Sequence, residues 1–210
     1  MMKQLLYATT NPGKIKEMRQ RFEAYNIPIV SPKDIGIKLE VQETGNTLEE
    51  NARIKAKAYI EKTNGRYVVL ADDTGLEIEA LNNEPGIHVR RWKDGKTRMN
   101  DEEIIQYCIR RMKDVPEGKR GAQFRAVFAV GTTAQNLLLF DGVILGEILT
   151  QPKSMRIEGY PFEPLFYVPK WQMLFADLHK IPSSKIQKYP THRGVALQKA
   201  LTYIRQLGDI

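Results

Sequence analysis

Cysteine is almost absent from this chain, since Cys108 is the only one among the 210 residues. A single cysteine excludes an internal disulfide framework and fits a reducing compartment, so we expect a cytoplasmic protein in which Cys108 is a small buried hydrophobe. No apolar run approaches the roughly 20 residues that cross a bilayer, and no secretory signal is expected at residues 1–10. The sequence also has no Gly-x-Ser-x-Gly elbow, which argues against a covalent serine mechanism.

The chain has no concentrated block of charge of either sign. It carries 32 Lys and Arg residues against 25 Asp and Glu residues, a formal net charge of +7. Such an excess is compatible with nucleic acid or with small anionic ligands. Because the positive residues are dispersed, without a basic tail or an RNA-binding signature, small polyanions are favoured and nucleic-acid binding is ranked last.

Helical and strand patterns alternate in the first half of the chain, whereas strand patterns cluster later. This order predicts an α/β class with a mixed sheet flanked by helices, as a single domain of residues 1–210 with two lobes. Asn100 is predicted to cap one helix, with Glu103 three residues later. Further helices are predicted after Asn11, Thr47 and Thr191, and residues 151–170 are predicted to be loop. The predicted strands cover residues 5–7, 27–30, 67–71, 122–130, 137–140 and 143–149.

The turn over residues 8–14 closes an apolar run and opens a helix on which Ile15, Met18 and Phe22 share one face. A helix N-terminus with unsatisfied backbone N–H groups and a lysine, Lys14, suits a phosphate. An ordinary strand-to-helix turn with a solvated lysine is the alternative interpretation.

Two adjacent carboxylates, Asp72 and Asp73, follow the predicted strand of residues 67–71. Such a pair is costly to bury unless a cation neutralises it, and Mg²⁺ shared with substrate phosphates would supply that cation. The alternative is a turn with solvated carboxylates. Asn51 and Lys55 share a helix face and can point into the same cleft, although residues of these types are commonly exposed.

Together, six segments resemble the inosine triphosphate pyrophosphatase family, whose members remove deaminated purine nucleotides. Each segment alone is a weak motif, but their order and spacing run from residue 8 to residue 200. The matching pieces are Ala8-Thr9-Thr10-Asn11 with Lys14 and Glu17, Glu43-Thr44-Gly45 with Thr47, Glu50-Asn51-Ala52 with Lys55-Ala56, Ala71-Asp72-Asp73-Thr74-Gly75-Leu76, Pro85-Gly86 with Arg91, and Thr191-His192-Arg193.

The resemblance implies an elongated α/β fold whose two lobes enclose a nucleotide-binding cleft, commonly as a homodimer. It implies Mg²⁺-dependent attack of water at the α-phosphorus of a nucleoside triphosphate, which releases the monophosphate and pyrophosphate. Glu43 and Asp73 would hold the metal, and Asp72 or Asp73 would orient the water. The implied catalytic residues are Asp73, Asp72, Lys14 and Lys55. Tyr160 would stack on the base, and His192 and Arg193 would contact its edge. The other implied substrate contacts are Thr9, Thr10, Asn11, Lys14, Asn51, Lys55, Thr74, Phe162, Glu163 and Gln187.

The base-binding segments depart from the family pattern Gly-Gly-Phe-Gly-Tyr/Trp-Asp-Pro. In residues 158–164, Pro161 replaces a glycine and Glu163 an aspartate, and Gln187 stands where the family has a lysine. Val89-Arg90 replaces a Ser-Ala pair. Either base selection has changed, or the sequence has drifted and the neighbouring Lys185 or Lys188 restores the contact.

The first hypothesis is therefore a pyrophosphatase acting on ITP, dITP and XTP. The second is the same chemistry on a standard or modified base. The third is a nucleotide-binding protein without turnover, against which the retained lysines and carboxylates argue, because binding alone needs no activated water.

Overall fold

The computed structural model describes residues 3–208, except for the side chains of Ser183 and Ser184. Within that range the chain forms four α-helices, eight strands and several short 3₁₀ helices. The helices are α1 (Pro12–Glu23), α2 (Leu48–Lys62), α3 (Asp101–Arg111) and α4 (His192–Gly208), and the strands are β1 (Leu5–Tyr7), β2 (Ile29–Val30), β3 (Val68–Ile78), β4 (Glu84–Gly86), β5 (Gly121–Gly131), β6 (Leu138–Ile148), β7 (Phe166–Val168) and β8 (Met173–Leu174).

The eight strands form one mixed sheet in the order β2-β1-β3-β5-β6-β7-β8, with β4 paired to β3. Strand β1 runs parallel to β2 and β3, whereas β3–β4, β6–β7 and β7–β8 are antiparallel pairs. The predicted α/β class with a mixed sheet is confirmed. No helix in residues 3–208 is long and apolar enough to cross a membrane.

The chain divides into two compact units, each with its own hydrophobic core. The first comprises Met1–Thr74, Ala126–Val143 and Pro190–Ile210, and the second comprises Gly75–Arg125 and Ile144–Tyr189. In the first core, the predicted face of α1 is buried through Met18 and Phe22, beside Leu197 of α4. In the second, Cys108 is buried on α3 as predicted, and burial raises the pKa of its thiol to about 12.

Strand β3 does not end at Asp72, so the predicted boundary at residue 71 is wrong. Its parallel neighbour β1 pairs only as far as Tyr7, opposite Leu70. Beyond the acidic pair, β3 continues because its last residues pair with the antiparallel strand β4. The two carboxylates therefore lie inside a strand, just past the point where β1 stops.

The prediction of two strands between residues 137 and 149 is also wrong, because β6 is continuous through Asp141-Gly142. Gly142 does not mark a turn. A Cβ atom there would lie 2.0 Å from the backbone oxygen of His192, so the glycine permits a close approach of α4 to the strand. Residues 151–170 are not wholly loop either, since β7 is a three-residue strand, too short to show a periodic pattern.

The predicted helix caps are present. The segment Thr47-Leu48-Glu49-Glu50 has the sequence of a capping box. Thr47 accepts from the backbone N–H of Glu50, but the Glu50 side chain accepts from the backbone N–H of Asn46 rather than that of Thr47, so only half of the box forms. Asn100 and Glu103 form the complete reciprocal box at α3.

Candidate active site

The N-terminus of α1 is capped by Asn11. Its side-chain oxygen accepts from the backbone N–H groups of Gly13 at 2.9 Å and Lys14 at 3.2 Å. The expectation of free amides at this turn is therefore wrong for these two, because asparagine is a strong N-cap residue. Thr9 and the exposed Thr10 line a groove of about 1000 Å³ between α1 and residues 31–39.

Asp72 is fully buried and bound by two cations. Its Oδ2 lies 2.9 Å from Lys14 Nζ and 3.1 Å from Arg193 Nε, and it also accepts from the Thr74 hydroxyl at 3.2 Å. Burial alone would raise the pKa of Asp72, but Lys14 and Arg193 outweigh it and hold that pKa far below its usual range. Its other oxygen, Oδ1, is buried without a hydrogen-bond partner among residues 3–208.

Asp73 has a different environment from its neighbour. Its Oδ2 accepts from the Asn51 side-chain amide at 3.2 Å, and its Oδ1 lies 3.9 Å from Lys55 Nζ. Burial raises the pKa of Asp73 to about 6, with Glu43 adding to the rise and the nearby lysines opposing it. The pKa values of two adjacent carboxylates are therefore shifted in opposite directions, down for Asp72 and up for Asp73.

Asn51 and Lys55 of α2 both reach the acidic pair, as their spacing on the helix predicts. The Asn51 oxygen accepts from the Gly45 amide at 2.9 Å. Lys55 donates to the backbone oxygen of Asp72 at 2.8 Å and to Glu43 at 2.7 Å. Burial would lower the pKa of Lys55, but the surrounding carboxylates raise it, so its ammonium stays charged.

Glu17 is absent from the predicted site residues, yet it contacts the predicted residue Arg193. Arg193 donates to Glu17 at 3.1 Å, while Thr191 and Arg21 donate to the other carboxylate oxygen at 2.9 and 3.1 Å. Burial opposes ionisation, but Arg193 and Arg21 lower the pKa of Glu17 to about 2. Its position three residues after Lys14, on the same helix face, was the available signal.

The predicted base-edge residues at the start of α4 are both buried. Arg193 also donates to the Thr74 hydroxyl at 3.0 Å, so its guanidinium faces the acidic groups. Burial, with Arg193 adding to it, holds the pKa of His192 well below its usual value, so the imidazole is neutral.

The remaining predicted site residues lie in the second unit. Phe162 is in its core, with its ring centroid 5.8 Å from that of Trp92. Glu163 is 2% exposed and pairs with His179, and Gln187 is exposed on the 3₁₀ helix Ser183–Lys188. The residues predicted for phosphate and metal are thus all in the first unit, and the loop of residues 158–164, predicted to contact the base, belongs to the second.

The donor set fits Mg²⁺ that is shared with a substrate. No group of three or more His, Cys, Asp and Glu side chains poised for a metal occurs in the described part of the chain. Mg²⁺, however, is usually held by one or two carboxylates together with waters and phosphates. The carboxylates of Asp73 and Glu43, both within 3.9 Å of Lys55 Nζ, meet that requirement, and the buried Oδ1 of the neighbouring Asp72 has no hydrogen-bond partner among residues 3–208. Mg²⁺ at Asp73 and Glu43 stays a prediction.

Comparison with known proteins relates nearly the whole chain to one family. A sequence model of the Ham1 family matches residues 5–203. A dITP/XTP pyrophosphatase of Thermoanaerobacter pseudethanolicus is 38% identical over 200 residues, which cover 95% of this chain and 96% of that protein. One from Bacillus subtilis is 32% identical, covering 95% and 96%.

Two solved structures share the fold. A HAM1 protein from Coxiella burnetii is 30% identical with a TM-score of 0.77, covering 98% of this chain and all of that one (100%). The Staphylococcus aureus Ham1 protein is 29% identical with a TM-score of 0.75, covering 97% and 99%. These matches confirm the resemblance that the six sequence segments indicate: the chain belongs to the Ham1 family.

Proposed function

We propose that this chain hydrolyses deaminated purine nucleoside triphosphates, namely dITP, ITP and XTP, to the monophosphate and pyrophosphate. Its curated relatives are pyrophosphatases, hydrolases that act on acid anhydrides. The observation that carries the proposal is the convergence of two lysines, Lys14 and Lys55, on the adjacent carboxylates Asp72 and Asp73.

The lysines have a direct electrostatic task. A triphosphate resists attack by water because its own negative charge repels the nucleophile, so positive charge must be placed around it beforehand. Lys14 approaches from α1 and Lys55 from α2, and both are anchored by the acidic pair. Fixed ammonium groups of this kind need no rearrangement when the substrate binds, which favours the transition state.

The two carboxylates are proposed to have separate roles. Asp72 is committed to Lys14 and Arg193, so it acts as the buried anion that fixes those cations in position. Asp73 is held by the Asn51 amide and has a more distant lysine, Lys55. We therefore assign to Asp73 the orientation of the attacking water, a choice that the sequence left open.

Mg²⁺ would be held by Asp73 and Glu43 together with the substrate phosphates. When bound, it would supply further charge neutralisation and a bound water of lowered pKa. Glu43 already forms an ion pair with Lys55 at 2.7 Å. A metal ion bound by Glu43 would therefore compete with Lys55 for the Glu43 carboxylate.

The family resemblance assigns base selection to His192 and Arg193 in the first unit and to the loop of residues 158–164 in the second. A neutral His192 has one donor and one acceptor nitrogen and can therefore serve either purine edge, whereas the Arg193 guanidinium has donors only, which suit the O6 acceptor of a 6-oxo purine. The amino group of adenine is itself a donor and would leave such donors unpaired.

A second candidate is the same reaction on another base. Glu163 occupies the position of the family aspartate, and its carboxylate contacts His179. This contact favours the second candidate because the carboxylate is already engaged within the protein. The exposed Gln187, in place of a lysine, points in the same direction.

Pyrophosphate release with Mg²⁺ tests both candidates, using ITP, dITP, XTP and the standard ribo- and deoxyribonucleotides. Preference for ITP and XTP supports the first candidate, and activity concentrated on another base supports the second. Binding without release from any nucleotide would contradict both and leave a non-catalytic binding protein. An Asp73→Asn preparation purified in the same way controls for contaminating hydrolases.

We also propose that the enzyme works as a homodimer in the cytoplasm. The two exposed large hydrophobic side chains of the described residues, Leu138 and Leu145, both lie on β6, with Leu145 68% exposed. Such side chains are available to a second copy. Light scattering of the purified protein measures the assembly directly, and a Leu145→Glu variant asks whether β6 takes part.

A further inference from the structure

We propose that Asp101, Arg90 and His179 are positioning residues that hold the loop of residues 158–164, here called the base loop, and thereby set base discrimination. The inference depends on the proposed function, which gives this loop the base. None of the three is a predicted site residue. Each acts through a contact with the loop or with a residue that contacts it.

The first anchor joins the base loop to the start of α3. The backbone N–H of Gly159 donates to Asp101 Oδ2 at 2.8 Å, and the other carboxylate oxygen accepts from the Arg90 guanidinium. Gly159 has a φ of +85°, a conformation that side chains disfavour, so its amide is aimed by the backbone itself. Hydrogen bonds to an ionised carboxylate are stronger than neutral ones.

The second anchor is at the other end of the base loop. The Glu163 side chain is 3% exposed, and its carboxylate lies 2.7 Å from His179 Nε2. A buried carboxylate is costly without hydrogen bonds, so losing this contact would strain the loop. His179 comes from the 3₁₀ helix Phe175–Lys180, and its ring centroid lies 6.0 Å from that of Tyr160.

Tyr160 is positioned between these anchors. The residue before it, Gly159, is tied to Asp101, and the residue three later, Glu163, is tied to His179. Turn hydrogen bonds run from Tyr160 N–H to Ile157 and from Glu163 N–H to Tyr160, and Pro161 fixes one further backbone angle. Displacement at either anchor is therefore transmitted to the Tyr160 ring.

The anchors also connect departures from the family pattern that are distant in sequence. Arg90, from the Val89-Arg90 exchange, and Glu163, from the aspartate exchange, are both members of the anchoring contacts. The loop that lost a glycine at Pro161 thus contains Glu163 itself, and Arg90 contacts Asp101, the carboxylate that binds this loop. This coincidence favours a loop re-anchored as a unit over independent drift.

The test measures kcat and KM for XTP, ITP and GTP in Asp101→Ala and His179→Leu. Loss of a charge-assisted hydrogen bond predicts roughly a tenfold rise in KM for the preferred nucleotide and a similar loss of discrimination, with a smaller change in kcat. His179→Gln retains a donor for Glu163 and should restore most of both. Arg90→Gln, a milder change, should shift discrimination in the same direction as Asp101→Ala.

Glu102→Gln is the matched control for Asp101→Ala. It removes the same charge from the same helical turn, but Glu102 contacts the exposed Arg156 side chain instead of the Gly159 amide. Hydrogen exchange of the Gly159 amide itself, followed by NMR, is a readout that does not depend on activity and does not include Arg156, the partner of Glu102. Exchange should accelerate in Asp101→Ala and stay unchanged in Glu102→Gln.

The possible failures are separable. If the wild-type enzyme hydrolyses these nucleotides and the anchor variants keep the same discrimination and KM, the inference is overturned while the proposed function stands. A wild-type protein without turnover would overturn the proposed function and the base-selecting role with it. Equal exchange rates in Asp101→Ala and wild type would show that the anchor does not hold the loop.

Discussion

Arg193 and Asp72 form a buried ion pair, with Nε and Oδ2 3.1 Å apart, between the first turn of α4 and the middle of β3. The two residues are 121 positions apart in the sequence. Buried pairs contribute little net stability, because desolvation offsets the attraction, but removal of one partner leaves an uncompensated charge. The acidic pair of the active site is therefore also a structural junction of the first unit.

Asp72→Asn should strongly destabilise the protein. Lys14 and Arg193 would stay buried without their shared carboxylate, which costs about 3–5 kcal/mol in comparable cases. The free energy of unfolding from urea titration measures the loss. A decrease below about 1 kcal/mol would contradict the role of Asp72 as the fixed anion.

Asp73→Asn should remove turnover and leave the fold intact. We expect at least a 100-fold decrease in the rate of pyrophosphate release, with nucleotide affinity changed much less. Single-turnover assays and direct titration of a nucleotide separate the two quantities. Near-normal turnover in this variant would exclude Asp73 from orienting water.

Asp73→Asn should change the free energy of unfolding in the opposite direction to Asp72→Asn. Because the folded-state pKa of Asp73 is raised to about 6, ionisation costs stability as pH rises from about 4 through 6. In metal-free buffer at pH 7, Asp73→Asn should unfold no more easily than wild type. Thermal unfolding of both variants side by side makes the comparison.

Glu17 should govern part of the acid unfolding of the protein. The pKa of Glu17 is about 2 in the folded protein, against 4.5 for the group in an unfolded chain. Ionised Glu17 therefore stabilises the folded protein fully above about pH 5, and this contribution disappears as pH falls toward 2. The difference corresponds to about 3 kcal/mol at neutral pH. Glu17→Gln should flatten this limb of the stability curve, and an unchanged limb in urea titrations from pH 2 to 7 would contradict the assignment.

Gly142→Ala should disturb the packing of α4 on β6. The added Cβ would lie 2.0 Å from the His192 oxygen and 2.5 Å from the Ala196 nitrogen, both backbone atoms that cannot rotate away. Overpacking of this kind costs about 1–3 kcal/mol or more, measured by chemical unfolding. Asp141→Ala, next in sequence, removes an exposed ion pair with Lys199 and should change stability by less than about 1 kcal/mol.

The individual elements that the sequence alone predicted correctly are those decided by residues close together in the chain. The buried face of α1, the cap at Asn100 and the position of Cys108 follow from periodicity and capping chemistry, which are local. Local spacing also placed Asn51 and Lys55 on the same side of α2. The six ordered segments identified the family because they span nearly the entire chain.

Tertiary structure decided what depends on partners distant in sequence. Strand β3 passes through Asp72 because β4 pairs with its end, and Gly142 lies in a strand because α4 approaches it there. Lys14 and Arg193 lower the pKa of one acid, Asp72, while burial raises the pKa of the adjacent Asp73. A pKa and a strand boundary depend on the energy of contacts across space, and residue spacing along the chain does not contain that information.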